Sequence, residues 1–156
     1  MSSLDPTCKR IIGTVWVGYG DEIFVEKLNN VTWIYGRLVI QDTNLTVINV
    51  MHNLEYVANL SPVMPGILIE GNENLEEVVF PSLKRVRPGM DIQWNNQKLF
   101  LDPITCSKVT NGWEKSEWKS TLIDYKSCET VFDNGSRKFK YDSIVSGVFI
   151  LFILLH

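Results

Sequence analysis

The sequence is poor in the residues that build metal sites and nucleophilic active sites. It contains only two histidines, His52 and His156, and three cysteines, spread over 156 residues. A zinc site needs several Cys or His ligands at close spacing, so we expect no metal and no other cofactor. A glycine-rich phosphate loop and a Ser/His/Asp spacing typical of nucleophilic catalysis are also missing. These absences argue against metalloenzymes and nucleotide-dependent enzymes.

Basic charge is equally scarce. The formal net charge is −3, and the one basic run is Lys84-Arg85-Val86-Arg87. Proteins bind nucleic acid mainly through clustered basic side chains that neutralise phosphates. We therefore expect no nucleic-acid partner and interpret this run as a solvated loop. The hydrophobic content of 45% is ordinary for a globular protein, and the length suits one domain with short tails.

Four short segments repeat one alternating apolar pattern. Their paired anchors lie 23, 29 and 23 residues apart, at Val17, Ile40, Ile69 and Ile92. An apolar residue stands two positions before each anchor, at Val15, Leu38, Ile67 and Met90. Because alternate side chains of a strand point to one face, these residues can line a shared core.

A second set of apolar pairs precedes three of the four segments, as Leu28-x-x-Val31, Leu54-x-x-Val57 and Leu83-x-x-Val86. Asn72 and Asn95 follow two of the strands, where an Asn can hydrogen-bond turn backbone, although Asn96 competes with Asn95 for that position. Repeats of this length with an L-x-L-x-x-N character are typical of stacked leucine-rich-type coils. The two ladders together favour a β-rich solenoid over a β-sandwich.

From Cys8 to Cys106 the chain resembles a receptor L domain, the ligand-binding module of the insulin and EGF receptor class. The likeness is carried by VTWIYGRLVIQDTNLTVINVMHNLEYV, PGILIEGNENLEEVVFPSLKRV and IQWNNQKLF. It implies a right-handed parallel β-helix of leucine-rich-repeat type with few short helices, extracellular and without catalytic activity. The chain has one such domain and no room for a kinase, so it is most similar to stand-alone L-domain proteins.

The resemblance sets the expected domain boundaries. We assign residues 8–128 to the L domain, 129–142 to a polar linker and 143–156 to a hydrophobic tail. In the receptors, a Cys at the place of Cys8 pairs with one further upstream, which this sequence lacks. No signal peptide is visible either. We therefore expect an incomplete N-terminus, or alternatively a family member that is never exported.

The remaining cysteines and the glycosylation motifs bear on the compartment. We expect Cys106 and Cys128 to form a disulfide that caps the last coil, the alternative being three free thiols in a reducing compartment. Four N-x-S/T motifs occur, at Asn30, Asn44, Asn59 and Asn134, which favours secretion. Asn44 overlaps the turn of its coil, so its side chain has a structural role as an alternative.

The C-terminal tail allows two interpretations. Residues 143–155 carry no charge but are short for a membrane-spanning helix, which needs about 20 apolar residues. Small residues at Asn134-Gly135-Ser136, a polar spacer and an apolar end fit the signal for a glycolipid anchor. Either way we expect contact with the membrane through the tail, on the extracellular face of the plasma membrane, or secretion.

The residues between the core positions of each strand face outward. They define a candidate ligand-binding face of Trp16, Arg37, Val39, Gln41, Leu68, Glu70, Asp91 and Gln93. Stacking aligns Trp16, Val39 and Leu68 into one exposed apolar column, with Asp91 next, and such columns often mark contact surfaces. The alternative is that a loop or an N-terminal segment covers it.

We therefore predict a non-enzymatic module that binds or sequesters a peptide hormone or growth-factor-like ligand, or pairs with a receptor. A structural or adhesion role at the cell surface is the alternative. Glu70 and Asp91 also suit carboxylate chemistry on the outer face, but we find no second acid or base to support an enzyme.

Overall fold

The computed structural model describes residues 3–99, 103–110 and 120–130. Short strands dominate these residues, accompanied by a 3₁₀ helix at Glu22–Leu28 and an α-helix, α1, at Pro103–Val109. Residues 128–130 are also helical. The strands are β1 (Arg10–Ile12), β2 (Val15–Val17), β3 (Trp33–Tyr35), β4 (Leu38–Gln41), β5 (Val47–Ile48), β6 (Tyr56–Ala58), β7 (Ile67–Glu70), β8 (Glu77–Val78), β9 (Arg85–Arg87), β10 (Met90–Gln93), β11 (Thr121–Ile123) and β12 (Lys126–Ser127).

The strands stack into three sheets along a solenoid. Sheet A has the order β1-β3-β6-β9, sheet B the order β12-β11-β10-β7-β4-β2, and sheet C pairs β5 with β8. Every pairing is parallel except that between β11 and β12. This arrangement confirms the predicted β-rich solenoid with few short helices.

The alternating apolar residues form the core, as predicted. The paired anchors of the four segments are all buried and belong to one cluster between the sheets. Sheet B brings them into register, since Val17 pairs with Ile40, Ile40 with Ile69, and Ile69 with Ile92. The extra residues between the second and third anchors form the excursion 59–66, which leaves the solenoid between β6 and β7.

The pairing of sheet A corrects the second ladder in its first copy. Ile34, not Val31, pairs with Val57, which in turn pairs with Val86. The preceding turn repeats in each coil as an N–H···O=C bond of 3.0–3.2 Å, from Val31 to Leu28, Leu54 to Met51, and Leu83 to Phe80. The predicted first pair was therefore three residues out of step. All of these side chains are buried, so the sequence offered two equally apolar alignments.

Polar side chains stack where the chain leaves the strands of sheet B. Thr43 donates both its backbone N–H and its hydroxyl to Asn72 Oδ1, at 3.0 and 2.7 Å. Asn72 in turn donates its backbone N–H and its Nδ2 to Asn95 Oδ1, at 3.0 and 2.8 Å. Asn95 is thus the turn residue of its coil and not Asn96. In the second coil the turn residue is Thr43, while Asn44 is exposed, so the alternative structural role for Asn44 is wrong.

Close contact between coils fixes the corner before β4. Gly36 has a φ of +150°, and a Cβ there would lie 2.1 Å from the carbonyl oxygen of Gly13 in the preceding coil. Gly13 occupies the equivalent corner, with a φ of +118°, but open space surrounds its own Cβ position. At position 36, therefore, only glycine allows the two coils to approach each other this closely.

The basic run is also placed differently from expectation. Arg85–Arg87 form β9, with Val86 buried and both arginines on the outer face of sheet A. The run is therefore a strand, and not a solvated loop. One apolar residue between two charged ones is a half-buried strand pattern, which the charge obscured.

A hairpin and a disulfide close the C-terminal end. Asp124 and Tyr125 have positive φ values of 46° and 66° and connect the antiparallel strands β11 and β12, as a two-residue hairpin turn requires. Cys106 in α1 is bonded to Cys128, and both are fully buried, which confirms the predicted disulfide. Cys8 is free and half-buried.

The linker from residue 131 onward and the whole tail 143–156 lie outside the described residues. In the part of the chain that is described, no helix has the length and apolar character needed to cross a membrane.

Candidate functional site

The outer face of sheet B brings the predicted binding residues together in two rows. In the first row the paired positions are Trp16, Val39, Leu68, Asp91 and Leu122. In the second row they are Gln41, Glu70 and Gln93. The strand pairing therefore gives this set of side chains, which are distant in sequence, one continuous surface.

The exposure of the first row differs from expectation at one position. Trp16 is 53% exposed and Leu68 is partly exposed, but Val39 is fully buried. Val39 does not belong to the core cluster, and it pairs with Trp16 and Leu68, whose side chains are larger. The predicted exposure of Val39 is therefore wrong. Trp16 and Leu68 present the apolar surface, and Val39 supports them from between.

Arg37 is committed to a neighbouring segment. Its Nε donates to the carbonyl oxygen of Pro65 at 3.1 Å, and its Nη1 contacts Met64 Sδ at 3.3 Å. Asn59 Nδ2 donates to the Met64 carbonyl oxygen at 3.0 Å. These contacts hold the excursion of residues 59–66, here called the apolar loop, beside the start of β7.

The apolar loop exposes several large side chains at the edge of sheet B. Leu60 is 99% exposed, Val63 84% and Met64 48%. Three exposed apolar side chains in one short segment are unusual for a surface loop and are typical of contact surfaces. The loop therefore extends the apolar part of the face beyond the strands.

The end of the face that lies away from Trp16 is acidic. Burial, followed by the neighbouring carboxylates of Glu70 and Asp124, raises the pKa of Asp91 above its ordinary value. Asp91 Oδ1 and Gln93 Oε1 are shielded from solvent, and neither accepts a hydrogen bond from any described residue. Buried acceptors are normally satisfied, so this end of the face offers two acceptors that lack a donor.

Two aromatic side chains border the acidic end. Trp94 and Tyr125 are 62% and 60% exposed, and their rings meet edge to face with centroids 6.1 Å apart. Trp94 has a φ of 54°, and its backbone N–H donates to Asp124 Oδ1 at 3.1 Å. The turn that ends β10 is thereby tied to the hairpin that follows β11.

A pocket of about 280 Å³ lies between the apolar loop and the acidic end. Its walls come from the loop, from the Pro88-Gly89 corner, and from Met90, Asp91 and Leu122 of the two adjacent strands. Most of these side chains are apolar, and Asp91 is the one ionisable group among them. The pocket opens on the same side of the molecule as the outer face of sheet B.

Reasoning from the sequence missed Leu122, Tyr125 and the apolar loop. The short alternation Thr121-Leu122-Ile123 was a usable signal for one more strand of sheet B. The loop carried a weaker signal, because prolines next to Val63 and Met64 indicate a turn without indicating which surface it borders. Its position depends on the contacts of Arg37 and Asn59.

The described glycosylation motifs differ in their surroundings. Asn30 and Asn44 are exposed, while Asn59 is half-buried. Asn30 Nδ2 donates to the Pro6 carbonyl oxygen at 2.9 Å, and the Asn59 amide bonds within the apolar loop. Asn30 and Asn44 are thus the exposed acceptors of these three, and the Asn30 side chain is the one of the two with a hydrogen bond to a backbone carbonyl. Asn134 lies outside the described residues.

The described residues contain no group of three or more His, Cys, Asp or Glu side chains arranged to hold a metal ion. Glu70, Asp91 and Asp124 do influence one another electrostatically, as the raised pKa of Asp91 reflects.

Comparison with known proteins adds one finding. Residues 7–111 match the family model described as Receptor L domain. A search of curated proteins found no significant match.

Proposed function

The chain belongs to the receptor L domain family, whose model matches well over half of it, and we propose that it is a non-enzymatic module that binds a peptide ligand on the outer face of sheet B. Receptor L domains are extracellular, non-catalytic ligand-binding modules. The candidate ligand is a peptide hormone or a growth-factor-like polypeptide, which the chain sequesters or presents to a receptor with which it pairs.

The observation that carries the proposal is the exposed apolar surface of Trp16 and Leu68 on sheet B. Neither side chain belongs to the core cluster, and Trp16 is more than half exposed. Trp is the residue most often found at the energetic centre of protein interfaces. The partly exposed polar row of Gln41, Glu70 and Gln93 runs beside this surface and supplies the hydrogen-bonding rim that such interfaces have.

Export and surface attachment form part of the same proposal. The family supports an extracellular location, the disulfide between Cys106 and Cys128 is of the kind that persists in oxidising compartments, and Asn44 is exposed for glycosylation. A glycolipid anchor attached near Asn134, or a retained membrane segment, would fix the domain to the outer surface. Deglycosylation after expression in a secretory host should lower the mass, and a phospholipase that cuts glycolipid anchors should release the protein.

The direct test is a titration of candidate peptide hormones by calorimetry. The double variant Trp16→Ala/Leu68→Glu should lose at least about tenfold in affinity, because both anchors of the apolar surface are removed. The matched control is Ile12→Glu, an 88% exposed apolar residue on the outer face of sheet A, which should bind as the unmodified chain does. Unchanged binding by a folded double variant would refute the proposed face.

The outer face of sheet A favours a second candidate function, adhesion at the cell surface. Trp33 stacks on Tyr56 with ring centroids 4.0 Å apart and on Tyr35 at 5.5 Å. Lys84 lies over the Tyr56 ring at 5.7 Å. Arg10 pairs with Trp33 and Arg85 pairs with Tyr56, so basic residues stand on both sides of these aromatic rings. Two distinct surfaces on one rigid solenoid suit a protein that bridges two partners.

Adhesion and ligand capture make different predictions in a bead-aggregation assay. An adhesion protein coated on beads should cluster them, and Tyr35→Glu should abolish clustering while leaving peptide titrations unchanged. A ligand-capture module should leave the beads dispersed and bind peptide in solution.

A further inference from the structure

The pocket beside sheet B has a composition that the proposed binding face does not by itself explain. Its volume of about 280 Å³ falls at the small end of ligand pockets, which span about 300–1,000 Å³ for drug-sized molecules. It therefore suits one side chain of a larger ligand. Met64, Pro65, Pro88 and Leu122 give it apolar walls, and Met90 borders it with its side chain directed into the core.

Asp91 is the chemically distinctive lining residue. Its Oδ1 is shielded from solvent and accepts no hydrogen bond from the described part of the chain. Burial is the largest cause that raises its pKa, and Glu70 and Asp124 add to it. No described cation offsets these effects. Arg37, the basic residue held at the apolar loop, directs its guanidinium to Pro65 and Met64 instead.

A long basic side chain matches both properties of the pocket. Arginine and lysine combine an aliphatic stem that packs on apolar surface with a terminal cation that donates hydrogen bonds. A neutral apolar side chain would fill the walls but leave the buried carboxylate oxygen without a donor, which is unfavourable. An acidic side chain would meet the carboxylate of Asp91 in the pocket and the like charges of Glu70 and Asp124 near it.

We infer that this pocket holds an arginine or lysine side chain of the bound peptide, with the stem against Met64, Pro88 and Leu122 and the cation on Asp91. The inference rests on the proposed function, since the pocket adjoins the face that we propose for ligand binding. It specifies the chemistry of that ligand. The ligand has an apolar segment that covers Trp16 and Leu68, and next to it a basic residue that reaches Asp91 on β10.

The test uses small probes, so that it does not depend on knowing the ligand. N-acetyl-arginine amide and N-acetyl-citrulline amide have the same shape, but only the first is charged. We would titrate each into the methyl-labelled 156-residue chain and follow the NMR signals of Met64 and Leu122. The arginine probe should shift these methyls and bind about tenfold more tightly than the citrulline probe, because a charge-assisted hydrogen bond is lost in citrulline.

Variants separate the pocket from its surroundings. Asp91→Asn keeps the side-chain shape and should reduce the affinity for the arginine probe to the citrulline level. Glu70→Gln, which removes a neighbouring carboxylate outside the pocket lining, should reduce it by no more than about threefold, as expected of a charge that is not in contact. Equal affinity for both probes, undiminished arginine binding by Asp91→Asn, or no shift of the pocket methyls at the highest soluble concentration would each overturn the inference.

The same experiment distinguishes failure of the inference from failure of the proposed function. Trp16→Ala lies at the far end of the row from Asp91 and should leave probe binding unchanged. If the arginine probe binds selectively but peptide binding is unaffected by the Trp16/Leu68 variant, the proposed binding face is refuted and the inference about the pocket is supported. If the Trp16/Leu68 variant loses peptide binding but the probes bind equally, the proposed binding face is supported and the inference about the pocket is refuted.

Discussion

Asn72 is a polar side chain with no solvent exposure, and every polar atom of its amide is used. Its Oδ1 accepts two hydrogen bonds from Thr43. Its Nδ2 donates to the carbonyl oxygens of Ile40 and Glu70 and to Asn95 Oδ1, all within 3.1 Å. One side chain thus connects three successive coils, which explains why an amide occupies a position in the core.

Replacing Asn72 by alanine should lower the free energy of unfolding by about 3 kcal/mol, because several buried groups lose their partner at once. Equilibrium denaturation in urea would measure the change. Asn74→Ala, at an exposed position two residues away, is the matched control and should have little effect. A similar small effect for both variants would show that the ladder does not stabilise the fold.

Asp91 makes the stability of the domain depend on pH in a direction opposite to that of a salt-bridged carboxylate. Its pKa is raised in the folded state, chiefly by burial and then by Glu70 and Asp124. Its favourable contribution is therefore complete below the unfolded value near 3.8 and is lost as the pH rises through the folded value.

We therefore expect Asp91→Asn to be more stable than the unmodified chain at pH 7, with the advantage shrinking as the pH falls through the raised pKa of folded Asp91 and absent below the unfolded value near 3.8. Thermal melts over a pH series would detect it. Glu73→Gln, at an exposed carboxylate, should follow the unmodified chain at every pH. A destabilised Asp91→Asn at neutral pH would mean that the carboxylate has a partner that stabilises its charge.

At the scale of elements, the stacking of strands depends on how closely the corners between them approach. Gly13 and Gly36 precede β2 and β4 and share a positive φ, but only Gly36 faces the backbone of another coil. Substitutions at these two glycines therefore distinguish two contributions to the free energy of unfolding: the strain of a positive φ, which both positions share, and the steric clash between coils, which arises at Gly36.

Gly36→Ala should destabilise the domain by several kcal/mol, because its Cβ would lie 2.1 Å from the Gly13 carbonyl oxygen and the two coils would have to move apart. Gly13→Ala should cost only the backbone strain, about 1 kcal/mol. Chemical denaturation of both variants measures the difference. Equal losses would contradict a close approach at this corner.

The strands of sheet B could be predicted from the sequence because an alternating pattern encodes them locally. Val15, Leu38 and Ile67 each stand two residues before another buried residue, and the recurrence identifies the copies. The same method misaligned Leu28-x-x-Val31, since buried residues also occur three positions further along. It recognised Val86 as apolar but took β9 for a loop, because three of the four residues in the run Lys84-Arg85-Val86-Arg87 are basic. Alternation predicts a strand but does not fix the register between strands.

For the whole molecule, the ends of the solenoid are the places where core would otherwise be exposed. The bond between Cys106 and Cys128 connects α1 to the hairpin of β11 and β12, and α1 packs near β8. The disulfide thereby joins α1 to the residue that follows β12 at this end of the solenoid.

Removing the disulfide with Cys106→Ala/Cys128→Ala should reduce the free energy of unfolding by about 3 kcal/mol, as expected for a sequence separation of 22 residues. Denaturation curves with and without reductant would test this, since reductant should destabilise only the disulfide-bonded chain. Cys8→Ser is the control and should behave as the unmodified chain. An unchanged midpoint for the double variant would contradict a capping role.

The candidate site was predictable only where it coincides with the strands. Trp16, Leu68 and Asp91 share the alternation of the core, so their alignment followed from it. The burial of Val39 did not, because alternation assigns a residue to a face of the strand without showing whether that face is covered. The pocket was equally out of reach, because its walls come from the apolar loop, a corner and β11, which only the folded chain brings together.

The outer face of sheet B is the proposed binding surface. Peptides selected from a random library against the immobilised domain would test it without a known ligand, by measuring how many still bind Leu68→Glu and how many still bind Ile12→Glu. We predict that most selected peptides lose binding to Leu68→Glu and keep binding to Ile12→Glu. Peptides that tolerate Leu68→Glu but fail on Ile12→Glu would contradict the claim and assign binding to sheet A.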